Sequence, residues 1–218
     1  MRRIEKGKEP KEWLKYRITP GVEYQAIPEL RESLLKEQGY VCAYCMRRIP
    51  VRDKDEKGTP FQEDSRIEHI KCRDRYPELQ LDYSNMVICC PGAVTMDYHC
   101  DRKKENTDIT FDMFSQAFIE TLSYSSKDGT IKSSNADYDN QINEVLNLNN
   151  KRLKANRLSV LREVIDVMGK KSRNNWNKSL ISRSLMVWDS KDKDGRLHPY
   201  SGIVVWFLKR VLKRMGTK

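Results

Sequence analysis

Long apolar runs are what this sequence most plainly lacks. No stretch approaches the roughly 18 apolar residues that a membrane span requires, and the first residues, MRRIEKGKEPKEW, carry charge where a secretory leader would be greasy. The expectation is a cytoplasmic protein with no membrane partner. Histidine is scarce, with three in 218 residues, so imidazole chemistry has few places to sit. Internal repeats and low-complexity segments are missing, which argues against a solenoid or a disordered array. Acidic residues thin out toward the end: residues 151–218 hold 18 Lys/Arg against 5 Asp/Glu, a net of +13, whereas residues 1–150 hold 23 against 26, a net of −3. A third so basic suits a polyanion or an acidic protein surface, through counterion release and steering.

Six cysteines stand against this background. In a reducing compartment they are poor candidates for disulfides, so a cluster among them reads as metal-binding or reactive, and scattered ones as inert buried thiols. YVCAYCMRRI puts two residues between Cys42 and Cys45, the spacing from which a tight bend delivers two sulfurs to one tetrahedral Zn2+. MVICC, residues 86–90, supplies the next candidates. On a strand Cys89 and Cys90 face opposite sides, so one of them looks into a shared cage. Cys90 is the choice, with Cys100 as fourth ligand, because both border the turn-rich PGAVTMDYH that can loop back. Cys72 and Cys89 are left as ordinary buried thiols.

The stretch RIEHIKCRDRYPELQLDYSNMVICC, 66–90, brings a second kind of chemistry. Hydrolysing a phosphodiester needs an activated water, charge stabilisation on the phosphoryl oxygens and help for the leaving oxygen. A neutral imidazole is a natural base near pH 7, which points to His69. A hard cation such as Mg2+ takes oxygen ligands and keeps water and substrate in the rest of its shell, so Glu68 and Asp101 suffice to hold it. Neighbours on a strand point apart, so Glu68 and His69 serve one site only if the strand ends or twists there. Asn85 is expected to orient the His69 ring by accepting its second N–H. HCDRKKEN, 99–106, is expected to open a short helix whose start and Lys104 meet phosphate, with Lys71, Arg73 and Arg102 as further contacts to nucleic acid. Taken singly, the His reads as a hydrogen-bonded structural residue, the Asn as a turn cap and the Asp as a helix cap. The site reading rests on their company and on the cysteine pairs beside them.

Together these motifs resemble the HNH endonucleases. That family's pattern is Cys-x2-Cys, an acidic residue then His, an Asn with a Cys five residues later, and a final Cys followed by a metal-binding residue with a Lys three further on. The matching residues are CAYC, Glu68-His69, Asn85, Cys90, and CDRK from Cys100. The resemblance implies a ββα-metal core stapled by Zn2+ on Cys42, Cys45, Cys90 and Cys100, with His69 as general base and Asn85 as its orienter. It also implies Glu68 and Asp101 around a catalytic Mg2+ or Mn2+, and Lys104 near phosphate. Glu68 stands where Asp is commoner, Cys72 where Pro is expected and Asp101 where His is, so His99 is a further candidate for that third position. MRRIEKGKEP, IEHIKCRDRYPELQLDYSNM, HCD and LNLNNKRLKANR extend the likeness to the HNH nuclease subunit of Septu-type phage-defence systems, some of them retron-associated. That likeness implies an SMC-like ATPase partner, a retron reverse transcriptase complex in some systems, and DNA or tRNA as substrate. The competing class is a zinc-stapled adaptor that grips nucleic acid or an ATPase through the basic third and cuts nothing. An adaptor has no need of Glu68, His69 and Asp101.

The expected fold is α+β: a basic arm and helix over 1–40, the zinc-stapled ββα-metal HNH core over 41–106, then an inserted β-hairpin and a helical region over 107–218, basic from 151. PELRESLLKEQG, 28–39, reads as a helix with Leu30, Leu34 and Leu35 on one face and Gly39 closing it in the left-handed region. Trp13 is the one aromatic expected to dock the extended arm. Residues 50–65 read as a loop and Asp128-Gly129 as a hairpin turn. Leu158, Leu161, Val164, Ile165 and Met168 form a helical stripe. Ser201 is expected to cap a final helix that turns Val204, Phe207, Leu208, Val211, Leu212 and Met215 to the core and Lys209, Arg210, Lys213 and Arg214 away from it.

Overall fold

The computed structural model describes residues 1–50, 65–93, 97–172 and 175–216. The loop read over 50–65 lies, but for its two ends, outside the described residues, as do positions 94–96 of PGAVTMDYH. The architecture is mixed α and β with two small antiparallel sheets.

Helix α1, Lys11–Arg17, starts directly after Pro10 and buries Trp13 completely. The indole N–H donates to the Leu81 carbonyl at 3.3 Å. The arm is anchored by more than that one aromatic, because Met1 and Ile4 are buried too. Helix α2, Pro28–Glu37, opens on its proline, where a missing N–H costs nothing. It buries Leu30, Leu34 and Leu35, each worth roughly 1.5–3 kcal/mol of apolar transfer when fully buried.

Strand β1, Arg66–His69, pairs antiparallel with β2, Met86–Cys89, setting Glu68 opposite Val87 and His69 opposite Met86. All four residues of β2 are buried, so the segment reads as an unbroken apolar run rather than an alternating one. The four-residue helix α3, Asp101–Lys104, follows and completes a strand-strand-helix unit.

Ser115 caps α4, Gln116–Thr121, by accepting from the Ala117 N–H. The chain then enters the hairpin of β3, Leu122–Tyr124, and β4, Ile131–Ser133. Helix α5, Ala136–Asn140, capped by Asn135, leads through a π-turn at Gln141–Val145 toward α6, Lys151–Ser172. Gly129 has φ +75°, and a Cβ there would sit 2.2 Å from the Lys154 carbonyl oxygen, so the hairpin turn can seat on α6 only as glycine. Arg157 of α6, buried, donates to the Gly129 carbonyl at 2.6 Å and the Leu148 carbonyl at 2.8 Å. One charge of the basic third therefore cements the fold. Leu161, Val164 and Met168 of the expected stripe are buried, and Leu158 and Ile165 half-buried.

Helix α7, Lys178–Asp189, lies against α8, Ser201–Gly216. Residues 201–205 of α8 are buried all round, and further on Leu208 keeps to the core while Met215 is exposed. Ser201 is the first helical residue rather than a cap before it, and its buried hydroxyl has no hydrogen-bond partner among the described residues. One hydrophobic cluster runs from Met1 and Trp13 through β2 and the hairpin to Leu208, so segments 1–40, 41–106 and 107–218 share a core. Among the described residues no helix is long and apolar enough to cross a membrane.

Candidate metal centre and active site

Four sulfurs converge where the turn after α2, the end of β2 and the start of α3 meet. Those of Cys42, Cys45, Cys90 and Cys100 all lie within 4.8 Å of one another, and all four residues are buried. Cys42 and Cys100 are 3.8 Å apart, Cys45 and Cys90 3.7 Å. Sulfurs at about 2.3 Å from a tetrahedral Zn2+ stand about 3.8 Å from each other, whereas a disulfide would hold them at about 2.05 Å. The donor set and its spacing therefore fit a structural zinc, and the cysteines are free thiols. Burial opposes ionisation of Cys42, yet hydrogen bonds from Cys100, Cys45, Cys89 and Cys90 bring it below the usual thiol range. Burial pushes Cys45 and Cys100 up.

The cage is braced from outside. Buried Gln38 donates to the Val41 and Ile88 carbonyls at 3.0 and 2.8 Å and accepts from the Ile88 N–H at 2.7 Å, fastening the knuckle to β2. The knuckle itself is a turn closed by a Val41–Arg48 bridge. On the far side Gly92, φ +68°, receives the His99 N–H, and a Cβ there would come within 2.3 Å of the His99 carbonyl. Cys72 and Cys89 are buried outside the set of four. His99 turns its ring nitrogen to the Cys100 sulfur at 3.1 Å, so it borders the cage.

Tyr44, between the two knuckle cysteines, links the cage to the carboxylates by donating to Glu68 Oε1 at 3.1 Å. Glu68 and Asp101 are both buried and lie within hydrogen-bonding reach of each other. Burial, then the Asp101 carboxyl, raise the Glu68 pKa to about 8, against the opposing pull of Lys104. Two buried carboxyls in contact form a hard-oxygen donor pair of the kind that a divalent cation takes. Each is already matched by a basic side chain: Lys104 Nζ lies 2.9 Å from Glu68 Oε1, and Arg66 Nε 2.7 Å from Asp101 Oδ2. Lys104, expected at phosphate, is 1% exposed and also donates to the His69 carbonyl at 3.4 Å. Its four-carbon stem carries the ammonium inward from α3 because the nearest carboxylate lies there.

His69 ends β1, the geometry that lets adjacent residues serve one site. Its Nε2 meets the Gln80 carbonyl at 3.0 Å. A carbonyl only accepts, so Nε2 carries the proton and Nδ1 keeps a lone pair. Burial lowers the His69 pKa, with Arg73 and Lys104 adding to it and the Gln80 carbonyl and Asp101 opposing, which favours the neutral ring. The expected hydrogen bond from this ring to Asn85 is replaced. Asn85 accepts from the Lys71 N–H at 2.8 Å and donates to the Lys71 and Leu79 carbonyls at 3.0 and 3.2 Å. It ties the loop that returns to His69 and touches the imidazole only through that loop.

Of the remaining candidates for nucleic acid, Arg73 and Arg102 are exposed and Lys71 half-buried. Arg73 lies 4.8 Å over the Tyr24 ring, Arg102 4.2 Å over Tyr98 and Lys71 5.3 Å over Tyr76. Tyr24, Tyr44, Arg66 and Gln80 were not among the site residues read from the sequence. Only Tyr44 carried a signal, its place inside the knuckle. The chain matches no model of a known protein family and no curated protein.

Proposed function

We propose that this chain is a metal-dependent endonuclease of the HNH type that hydrolyses phosphodiester bonds. The observation that carries the reading is the contact between the Glu68 and Asp101 carboxyls beside a histidine whose Nε2 is committed to a backbone carbonyl. Glu68 and Asp101 are the residues that would hold Mg2+ or Mn2+, which when bound supplies Lewis-acid stabilisation of charge on the phosphoryl and leaving oxygens. His69, neutral and with Nδ1 free of the carbonyl, takes the proton of the attacking water. Tyr44 and Lys104 hold Glu68 in place. Arg66, more than half exposed where it pairs with Asp101, is the cation nearest the carboxylates that can turn outward to phosphate. The Cys42, Cys45, Cys90 and Cys100 site holds zinc as scaffold and takes no part in the chemistry.

The net +13 of residues 151–218 supports a polyanionic or acidic partner. In the Septu-type reading these are DNA or tRNA and an SMC-like ATPase, joined in some systems by a retron reverse transcriptase complex, in the cytoplasm. The test is digestion of plasmid, single-stranded DNA and tRNA by the full chain, with and without Mg2+ or Mn2+ and with and without such an ATPase. Cleavage that needs the divalent ion and vanishes in His69→Ala is expected. Cleavage that persists in that variant at the original rate removes the assignment. A second reading, a zinc-stapled adaptor without catalysis, is favoured by one observation: Lys104 and Arg66 already neutralise both carboxylates. Absence of both cleavage and Mn2+ binding under all these conditions would select it.

A further inference from the structure

The His69 ring is bounded by contacts that come from outside its own strand. Gln80 supplies the carbonyl at Nε2. Tyr24, from the segment between α1 and α2, stands with its ring at 85° to the imidazole and the centroids 4.5 Å apart. The same residue's backbone N–H donates to the Gln80 side-chain oxygen at 3.3 Å. One residue further on, Leu81 is held through its carbonyl by the Trp13 indole. Residues 80 and 81 are thus tied to the N-terminal segment at the point where the loop meets the histidine. A single hydrogen bond at Nε2 restrains the broad second torsion of histidine only loosely. The tyrosine ring restrains it further.

We propose that Tyr24 is a positioning residue for His69, holding the imidazole in one orientation and one tautomer, directly through its ring and indirectly by pinning Gln80. Its catalytic consequence rests on the reading of His69 as general base; its spectroscopic consequence does not.

The experiment uses the full zinc-loaded chain labelled with 15N-histidine. Three histidines give three pairs of ring signals, and His69→Ala identifies the pair wanted. Wild type is expected to show widely separated ring nitrogens with the proton on Nε2. In Tyr24→Ala the two signals draw together as the tautomers average, and kcat falls roughly 10- to 100-fold with little change in KM, the scale of effect that a misplaced catalytic group produces. Tyr24→Phe keeps both wild-type properties, because the ring makes the contact. Gln80→Ala, which cuts the tie and spares the carbonyl, moves the signals in the same direction. Wild-type ring signals in a folded, zinc-replete Tyr24→Ala overturn the proposal. Should that variant fail to fold, Tyr24→Leu and Gln80→Ala decide, and unchanged signals in both overturn it equally. If the signals move as expected while wild type cleaves nothing, the nuclease reading fails and the positioning role stands.

Discussion

The cysteine cage and the carboxylate pair are neighbours joined through Tyr44, yet they solve the problem of buried charge differently. The cage gathers four identical soft donors at a spacing that could hold one metal ion such as zinc. The carboxyl pair is compensated by the protein's own groups, Lys104 inside and Arg66 outside, and by the proton that a Glu68 pKa of about 8 retains near neutral pH. The first site offers four donors suited to an ion. The other is satisfied without one, and a cation entering it must compete with an ammonium whose residue is 1% exposed. A buried ion pair is weak grounds for stability, and this one links α3 to β1.

This contrast can be broken at several points. The largest effect is expected from Cys42→Ser, which should release zinc and with it about 10 kcal/mol or more of folding free energy. Metal analysis and circular dichroism read both, and Cys72→Ser should keep its zinc. A Cys42→Ser protein with full metal content would mean that the cage is misassigned. His69→Ala comes next: cleavage falls by roughly 10²- to 10⁴-fold while zinc stays stoichiometric, since this ring belongs only to the carboxylate side. Loss of zinc in that variant would merge two sites that are held apart here. Asn85→Ala strips three hydrogen bonds from the backbone of residues 71 and 79, at about 1–3 kcal/mol per group left buried and unpaired. A lower melting temperature with slower cleavage and retained zinc is the expected pattern; an unchanged melting curve would deny the loop its anchor. The smallest change belongs to Arg66→Ala, whose side chain is more than half exposed and so loses much of its pairing energy to solvent screening, although its partner Asp101 is buried. Its melting temperature should barely move while Mn2+ binds at least as tightly, and weaker Mn2+ binding would make Arg66 a support of the site rather than a competitor.

Much of the frame was legible in local pattern. Pro28 and Gly39 bracket α2, Asp128-Gly129 turns the hairpin, and the Leu161, Val164 and Met168 stripe of α6 faces inward, because caps, turn residues and periodicity act within a few residues of themselves. The four cage cysteines were also readable, Cys42 and Cys45 through the knuckle spacing; the alternation invoked to set Cys89 apart from Cys90 was not the reason, since β2 is buried throughout and the Cys89 thiol still reaches Cys42. The partners of single polar groups were not. Asn85 was read against the His69 ring and instead holds backbone at residues 71 and 79; Lys104 was read at phosphate and lies under Glu68. Ser201 was read as a cap and is sealed in the core. A long or forked side chain chooses among whatever donors and acceptors the fold brings near, and spacing carries no information about those.

By itself, then, the amino-acid sequence determined the helices, the hairpin and the set of thiols, since each follows from short-range stereochemistry or from a ligand chemistry that few residue types share. Tertiary packing alone decided which carbonyl meets His69, which cation meets each carboxylate, and that Tyr24 reaches across 56 positions to Gln80. Those outcomes turn on distances of about 3 Å between segments remote in the chain, which exist only once the common core has closed.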